Sequence, residues 1–263
     1  MAPDGRAGFI AIVGRPNVGK STLLNRLLGR KLSITSRKPQ TTRHRILGVV
    51  TGDTYQAIFV DTPGVRRRGD SALQKYMFRT ASGAMQDVDL LLFIVEGTRW
   101  SADDETVLAR VAQSGRPVIC AVNKVDLVTD KTALLPVLAQ LAQRHPFEAI
   151  VPVSARRGSG VEDLLHEVTS RLPEGPPLFP EDQITDRPEQ FLAAELLREQ
   201  LMRQLGDEVP YGCTVGVERF ESSEGITRID AIIWVEQRTH KAIVIGRNGE
   251  RLKQMATQAR KEM

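Results

Sequence analysis

The sequence predicts a doubly wound, mostly parallel α/β domain followed by a smaller α+β unit, and three observations carry that prediction. Up to Arg171, apolar runs of strand length alternate with amphipathic stretches of helix length. The run Leu172–Pro180 then holds four prolines in nine residues, which neither a helix nor a central strand sustains. Beyond it the order changes to a helix, two strands, a short apolar run at His240–Ile245 and a last helix.

In the first part the strand candidates are Phe9–Val13, Ile46–Thr51, Tyr55–Asp61, Asp89–Val95, Val118–Asn123 and Ala149–Val153. The helix candidates are Lys20–Leu28, Leu73–Met85, Asp103–Ala112, Leu134–Arg144 and Val161–Arg171. The reading divides the chain into a domain over 1–172, a proline-rich linker over 173–186 and a second domain over 187–263. In the second domain Arg187–Leu205 reads as a helix. Thr214–Phe220 and Thr227–Val235 read as strands around a Ser222–Gly225 turn, and Glu250–Met263 reads as a last helix. In such open α/β sheets, ligands sit at the carboxyl ends of the strands.

Gly14-Arg15-Pro16-Asn17-Val18-Gly19-Lys20-Ser21 follows the first strand and opens the first helix, with Thr22 next. That spacing makes a phosphate cradle: the glycines let backbone N–H groups turn inward, and the helix N-terminus adds partial positive charge. Lys20 reaches the β- and γ-phosphates, and the Ser21 hydroxyl suits Mg²⁺. Asp61-Thr62-Pro63-Gly64 ends the third strand, so a carboxylate stands where it can hold Mg²⁺ and the Gly64 N–H where it can sense a γ-phosphate. Between them lies Gln40-Thr41-Thr42-Arg43-His44, a segment that can order when a threonine meets the metal. Both Thr41 and Thr42 are candidates, with Thr42 favoured.

Asn123-Lys124-Val125-Asp126 follows another strand and reads the base. The Asp126 carboxylate can accept from the N1–H and 2-amino groups of guanine. Adenine has no 2-amino group and carries a lone pair at N1, so losing charged hydrogen bonds of about 1.5–3 kcal/mol each selects guanine. Ser154-Ala155 closes the last strand, where a backbone N–H can meet the guanine O6. GTP or GDP with Mg²⁺ is therefore expected. The metal set is Ser21, Thr42 and Asp61, and the candidate catalytic residues are Asn17, Lys20, Thr42 and Gly64.

The ordered set GRPNVGKS, QTTRH, DTPG, NKVD and VSA resembles the translation-factor-like GTPases. The stretches Lys31–Ile46, Val95–Trp100 and Phe179–Arg187 sharpen that to a resemblance to the bacterial Era family, over residues 8–263. The resemblance implies a GTPase switch that binds 16S ribosomal RNA and assists assembly of the 30S subunit. It also implies a cytoplasmic protein, monomeric, with peripheral contact to the inner membrane. Val65 stands near the place where a glutamine orients water in Ras-like proteins, so slow intrinsic turnover is expected. Asn17 resembles the asparagine that helps related GTPases hold K⁺, a cation able to stabilise developing charge.

The second domain resembles a type II KH domain, with Gly246-Arg247-Asn248-Gly249 as its GXXG loop and Lys241, Arg251 and Lys253 beside it. Residues 241–263 hold six basic and two acidic side chains, within a chain of net charge +4. Family members continue with another strand and a C-terminal helix, which 187–263 is expected to lack. Arg66-Arg67-Arg68 is a separate basic run that reads equally as a solvated loop.

No apolar run of the ~18 residues needed to span a bilayer occurs. The start of the chain carries no signal-peptide pattern. Two distant cysteines make no metal framework and fit a reducing compartment. Two other readings stay open: an RNA chaperone that binds nucleotide with negligible hydrolysis, and a GTPase serving a membrane or protein partner.

Overall fold

The computed structural model describes residues 5–64, 77, 80, 81, 83–97, 99–206 and 208–263. Val65 and Arg66–Arg68 lie outside them, as does most of the helix expected over Leu73–Met85, of which Met77, Thr80, Ala81, Gly83 and Ala84 are described and helical. The chain forms two compact units, one of Met1–Ser33 with Thr42–Asp186, the other of Ile34–Thr41 with Arg187–Met263.

The first unit is built on six strands: β1 (Arg6–Val13), β2 (Ile46–Thr51), β3 (Tyr55–Asp61), β4 (Leu90–Glu96), β5 (Val118–Asn123) and β6 (Ala149–Pro152). Their order in the sheet is β2-β3-β1-β4-β5-β6. β2 runs antiparallel to β3; the other pairings are parallel. The central strands read as unbroken apolar runs because both faces are covered. Every residue of β5 is buried, and so are Leu90–Val95 of β4. The unit also contains helices α1 (Lys20–Leu27), α2 (Ala102–Gln113), α3 (Leu134–Arg144) and α4 (Val161–Thr169). Phe93 and Ile58 sit in its main core with Val95, Val107 and Cys120.

Local sequence sets the helix starts. Ser101 caps α2 and forms a capping box with Asp104, which satisfies backbone donors at both positions. α1 and α4 begin after Gly19 (φ 103°) and Gly160 (φ 71°), conformations that favour glycine. β1 lies between β3 and β4, so the chain leaves the two sides of β1 in opposite directions. The loop after β1 therefore opens at the switch point where such folds bind ligands.

The proline-rich stretch runs along this unit. Gln56, 1% exposed, accepts at Oε1 from the Leu178 and Phe179 N–H groups at 2.7 and 2.8 Å and donates from Nε2 to the Phe179 carbonyl at 2.9 Å. Val49 N–H donates to the Ile184 carbonyl at 2.8 Å.

The second unit contains α5 (Glu189–Gln204), β7 (Cys213–Ser223), β8 (Ile226–Val235), α6 (Arg238–Ile245) and α7 (Glu250–Glu262). β7 and β8 pair antiparallel. Their turn has Glu224 and Gly225 both at positive φ, 52° and 78°, as a tight hairpin of matching twist requires. Leu197, Leu201, Leu205, Cys213, Val244, Met255 and Ala259 make its core. The segment 34–41 is fixed within this unit. Glu199 accepts from the Thr35 N–H at 2.7 Å, and Arg198, paired with Glu195, donates to the Thr41 carbonyl at 2.6 Å.

Replacing Gln56 by Ala should leave three backbone groups of 178–179 without partners, at about 1–3 kcal/mol for each that stays buried. Limited proteolysis should then show new cleavage at 176–180 with the rest of the first unit intact; an unchanged digest would remove Gln56 as the anchor.

Candidate functional site

Backbone conformation shapes the loop between β1 and α1. Gly14 has φ 156° and a Cβ there would stand 2.6 Å from the Ile94 carbonyl oxygen, so only glycine fits. Asn17 is left-handed at φ 64°. A Cβ on Gly19 would meet the Asn123 amide nitrogen at 2.3 Å. The loop thus curls over the N-terminus of α1, and its amide groups can face an anion there.

Lys20 is buried at the base of this cradle, where its ammonium donates to the carbonyls of Gly14 and Arg15 at 3.1 and 3.0 Å. Burial lowers its pKa to about 8, against the partial support of Asp61. Asp61, also buried, is pushed up by burial and pulled back by Lys20 and by the Ser21 hydroxyl. A bound polyphosphate would give Lys20 the counter-charge that burial denies it.

Three oxygen ligands converge beside Lys20. Ser21 Oγ donates to Asp61 Oδ2 at 2.8 Å and lies 2.9 Å from Thr42 Oγ1. Asp61 Oδ1 is buried and makes no hydrogen bond. Hard oxygen donors around an unsatisfied carboxylate oxygen suit Mg²⁺. The structure also separates the two threonines. Thr41 Oγ1 lies 2.6 Å from Ser36 Oγ and donates to the Lys38 carbonyl at 2.8 Å, so of the pair only Thr42 meets Ser21. Among the described residues no three His, Cys, Asp or Glu side chains gather as a metal cluster; the oxygens that meet here belong to one carboxylate and two hydroxyls.

Behind Asp61, the buried Thr62 hydroxyl donates to the Ile12 carbonyl at 2.8 Å and fastens this turn to β1. At Gly64 a Cβ would stand 2.8 Å from Pro16 Cα, so the turn closes on the phosphate loop. Pro63 lies between them, buried.

The base-reading loops are joined by one side chain. Asn123, 2% exposed, donates from Nδ2 to the Val18 carbonyl at 2.7 Å and accepts at Oδ1 from the Ala155 N–H at 3.0 Å. Lys124 is left-handed at φ 64°, and Val125 is buried beneath the loop. Ser154 Oγ donates to Asp126 Oδ1 at 2.7 Å. That bond holds the Asp126 carboxyl below its ordinary value, so it is an anion ready to accept. Arg26 of α1, which sequence reasoning missed, donates to the Ala155 carbonyl at 3.2 Å and ties the last loop to the first helix. Nothing local in the sequence links positions 26 and 155.

In the second unit, 246–249 joins α6 to α7. Gly246 (φ 72°), Asn248 (φ 51°) and Gly249 (φ 77°) are all at positive φ. A Cβ on Gly246 would stand 2.6 Å from Arg251 Cβ. Arg247, Asn248, Lys241, Arg251 and Lys253 are exposed around the loop. Arg251 also donates to the Ile243 carbonyl at 2.9 Å, which caps the end of α6. The loop presents backbone and cations together, the arrangement that a nucleic-acid backbone needs.

Comparison with known proteins gives the same two parts. A family described as 50S ribosome-binding GTPase matches residues 9–124, and a KH-domain family matches 208–263. GTPase Era of Pseudomonas aeruginosa is 54% identical over 258 residues, 98% of this chain and 85% of that protein. GTPase Era of Ectopseudomonas mendocina is 52% identical over 262 residues, 100% of this chain and 88% of that one. Among solved structures, a variant of Aquifex aeolicus Era bound to GDP and aluminium fluoride superposes with TM-score 0.93 at 39% identity, covering 98% of this chain and 88% of that one. Era in complex with MgGDPNP and nucleotides 1506–1542 of 16S ribosomal RNA gives TM-score 0.94 at the same identity and coverage. With relatives more than 50% identical over nearly its whole length and family models matching both of its parts, this chain is a member of the Era family of GTPases.

Proposed function

We propose that the chain is a GTP-driven switch whose second unit binds the 3′ region of 16S ribosomal RNA during assembly of the small subunit. The observation that carries the nucleotide half is the ionised Asp126, held by Ser154 in a loop that Asn123 joins to the phosphate cradle. The RNA half rests on the exposed 246–249 loop and its cations, together with the RNA-bound Era structure that this chain resembles. Both cysteines are buried thiols outside any disulfide, which supports a cytoplasmic setting. Among the described residues no helix is long and apolar enough to cross a membrane.

In this reading Asp126 accepts from the guanine edge, and the loop through Ser154 and Ala155 borders its O6. Lys20 binds the β- and γ-phosphates from the floor of the cradle. Ser21, Thr42 and Asp61 hold Mg²⁺, which when bound neutralises charge on those phosphates. The Gly64 N–H stands against the phosphate loop, where it can register the third phosphate. Asn17, exposed on the rim of the loop, is placed to help hold a monovalent cation near the bond that breaks.

Four outcomes test this. GTP turnover should rise when small ribosomal subunits are added; no binding to the subunit or to its RNA would end the RNA half. Gly246→Asp should cost at least about tenfold in RNA affinity, through charge repulsion and the crowding against Arg251, while GDP affinity stays within error. Ser154→Ala removes the bond that lowers the Asp126 pKa. The acid loss of GDP affinity should therefore move to higher pH, because the carboxylate protonates sooner as pH falls; an unmoved acid limb would contradict the role of Ser154. Turnover should be faster in K⁺ than in Na⁺ buffer, and equal rates would exclude the cation role of Asn17.

A further inference from the structure

Glu96 ends β4 directly beside Asn123, its register partner at the end of β5, and the Gly97 N–H donates to the Asn123 carbonyl at 2.8 Å. Its carboxylate therefore lies at the mouth of the base-reading loop. One oxygen, Oε2, takes two cations from different loops: Arg15 Nη2 of the phosphate cradle at 2.8 Å and Lys124 Nζ at 3.3 Å. Arg15 is held from its other side too, with Nε 3.0 Å from Oδ2 of Asp104. Asp104 is wholly buried, and the same oxygen accepts from the Ser101 N–H and hydroxyl at the start of α2. Two cations and two carboxylates thus form a chain from the helix cap, through the phosphate loop, to Lys124.

The chain has direction. Asp104 and α2 fix Arg15, Arg15 fixes Glu96, and Glu96 fixes the Lys124 ammonium. The Lys124 backbone is already in a left-handed conformation that a non-glycine residue adopts only at a cost. Its stem starts one residue before Val125 and two before Asp126 and ends on Glu96, so its course beside the base position is set at both ends. Burial pushes the Glu96 carboxyl up, but Arg15 and Lys124 outweigh it and hold the group ionised. Glu96 and Lys124 are 20% and 30% exposed at the side chain. A pair so accessible adds little to folding. Its effect falls on where Lys124 points.

We propose that Glu96 is a positioning residue for guanine nucleotide, clamping the Lys124 side chain to Arg15 of the phosphate loop so that its stem forms a fixed wall of the base site. This rests on the guanine reading of that site. Glu96→Gln keeps the shape and removes the charge. GDP affinity should fall by about tenfold, the scale of losing one charge-assisted contact, mainly through faster release. In a Lys124→Met background, where the stem remains and the ammonium is gone, Glu96→Gln should change GDP affinity by less than about twofold.

The measurement is a double-mutant cycle of GDP Kd and release rate with a fluorescent GDP analogue, alongside ADP on the unmodified protein. Equal losses from Glu96→Gln in both backgrounds would reduce Glu96 to a structural role and overturn the proposal. So would wild-type affinity in the single variant. Any general weakening of the fold enters both backgrounds and cancels in the cycle. If the unmodified protein fails to prefer GDP over ADP, the guanine reading itself is wrong and the proposal goes with it; preference retained with no coupling removes the proposal alone.

Discussion

One buried amide holds the nucleotide site together. Asn123 spends its donor on the Val18 carbonyl and its acceptor on the Ala155 N–H. These groups lie on the loops after β1 and β6, and Asn123 itself ends β5. A sheet brings such loops near one another but does not fix their distances. A two-sided hydrogen bond between buried backbone groups does, because breaking either half leaves a buried polar group without a partner. Gly19 follows from the same contact, since any larger residue would strike the Asn123 amide. The base-reading and phosphate loops are thereby tied to one another through a single side chain.

Charge is distributed around this site in two different ways. At the phosphate end Lys20 and Asp61 are buried, and burial opposes the charged form of each. At the base end Asp126 is partly accessible and kept ionised by a hydroxyl. The first arrangement suits a highly charged ligand, which supplies compensation from outside. The second suits a neutral heterocycle, whose N–H edge carries no charge and so is met best by an acceptor that is already an anion.

Most of the fold could be read in the sequence because its determinants are local. The apolar runs of β1, β4 and β5 mark strands covered on both faces. The candidate nucleotide residues stood out for a related reason: each loop is contiguous, so spacing alone displays it. What escaped were pairings across long sequence separations. Gln56 and the proline-rich stretch are 122 residues apart, Arg15 and Asp104 89, and Arg26 and Ala155 129. The grouping of Ile34–Thr41 with Arg187–Met263 also escaped. It depends on Glu195, Arg198 and Glu199, buried polar residues on a helix whose apolar pattern alone was read. Thr41 and Thr42 were adjacent and chemically equal in the sequence; their hydroxyls part company only because Ser36 and Lys38 engage the first and Ser21 meets the second.

The chain contains two tryptophans, and each compact unit holds one of them. Trp100 lies edge-on to Phe93 at 6.3 Å, with the Arg144 guanidinium 4.4 Å from its ring and its N–H on Glu105. Trp234 on β8 is 51% exposed, with its ring against Gly216. The two indoles therefore differ in polarity and in access to solvent. Iodide or acrylamide in solution reaches Trp234 first, and emission from the two differs in colour and lifetime. The protein consequently carries a separate optical reporter in each unit, so events in the nucleotide-binding and GXXG-bearing parts can be followed independently without attaching any dye.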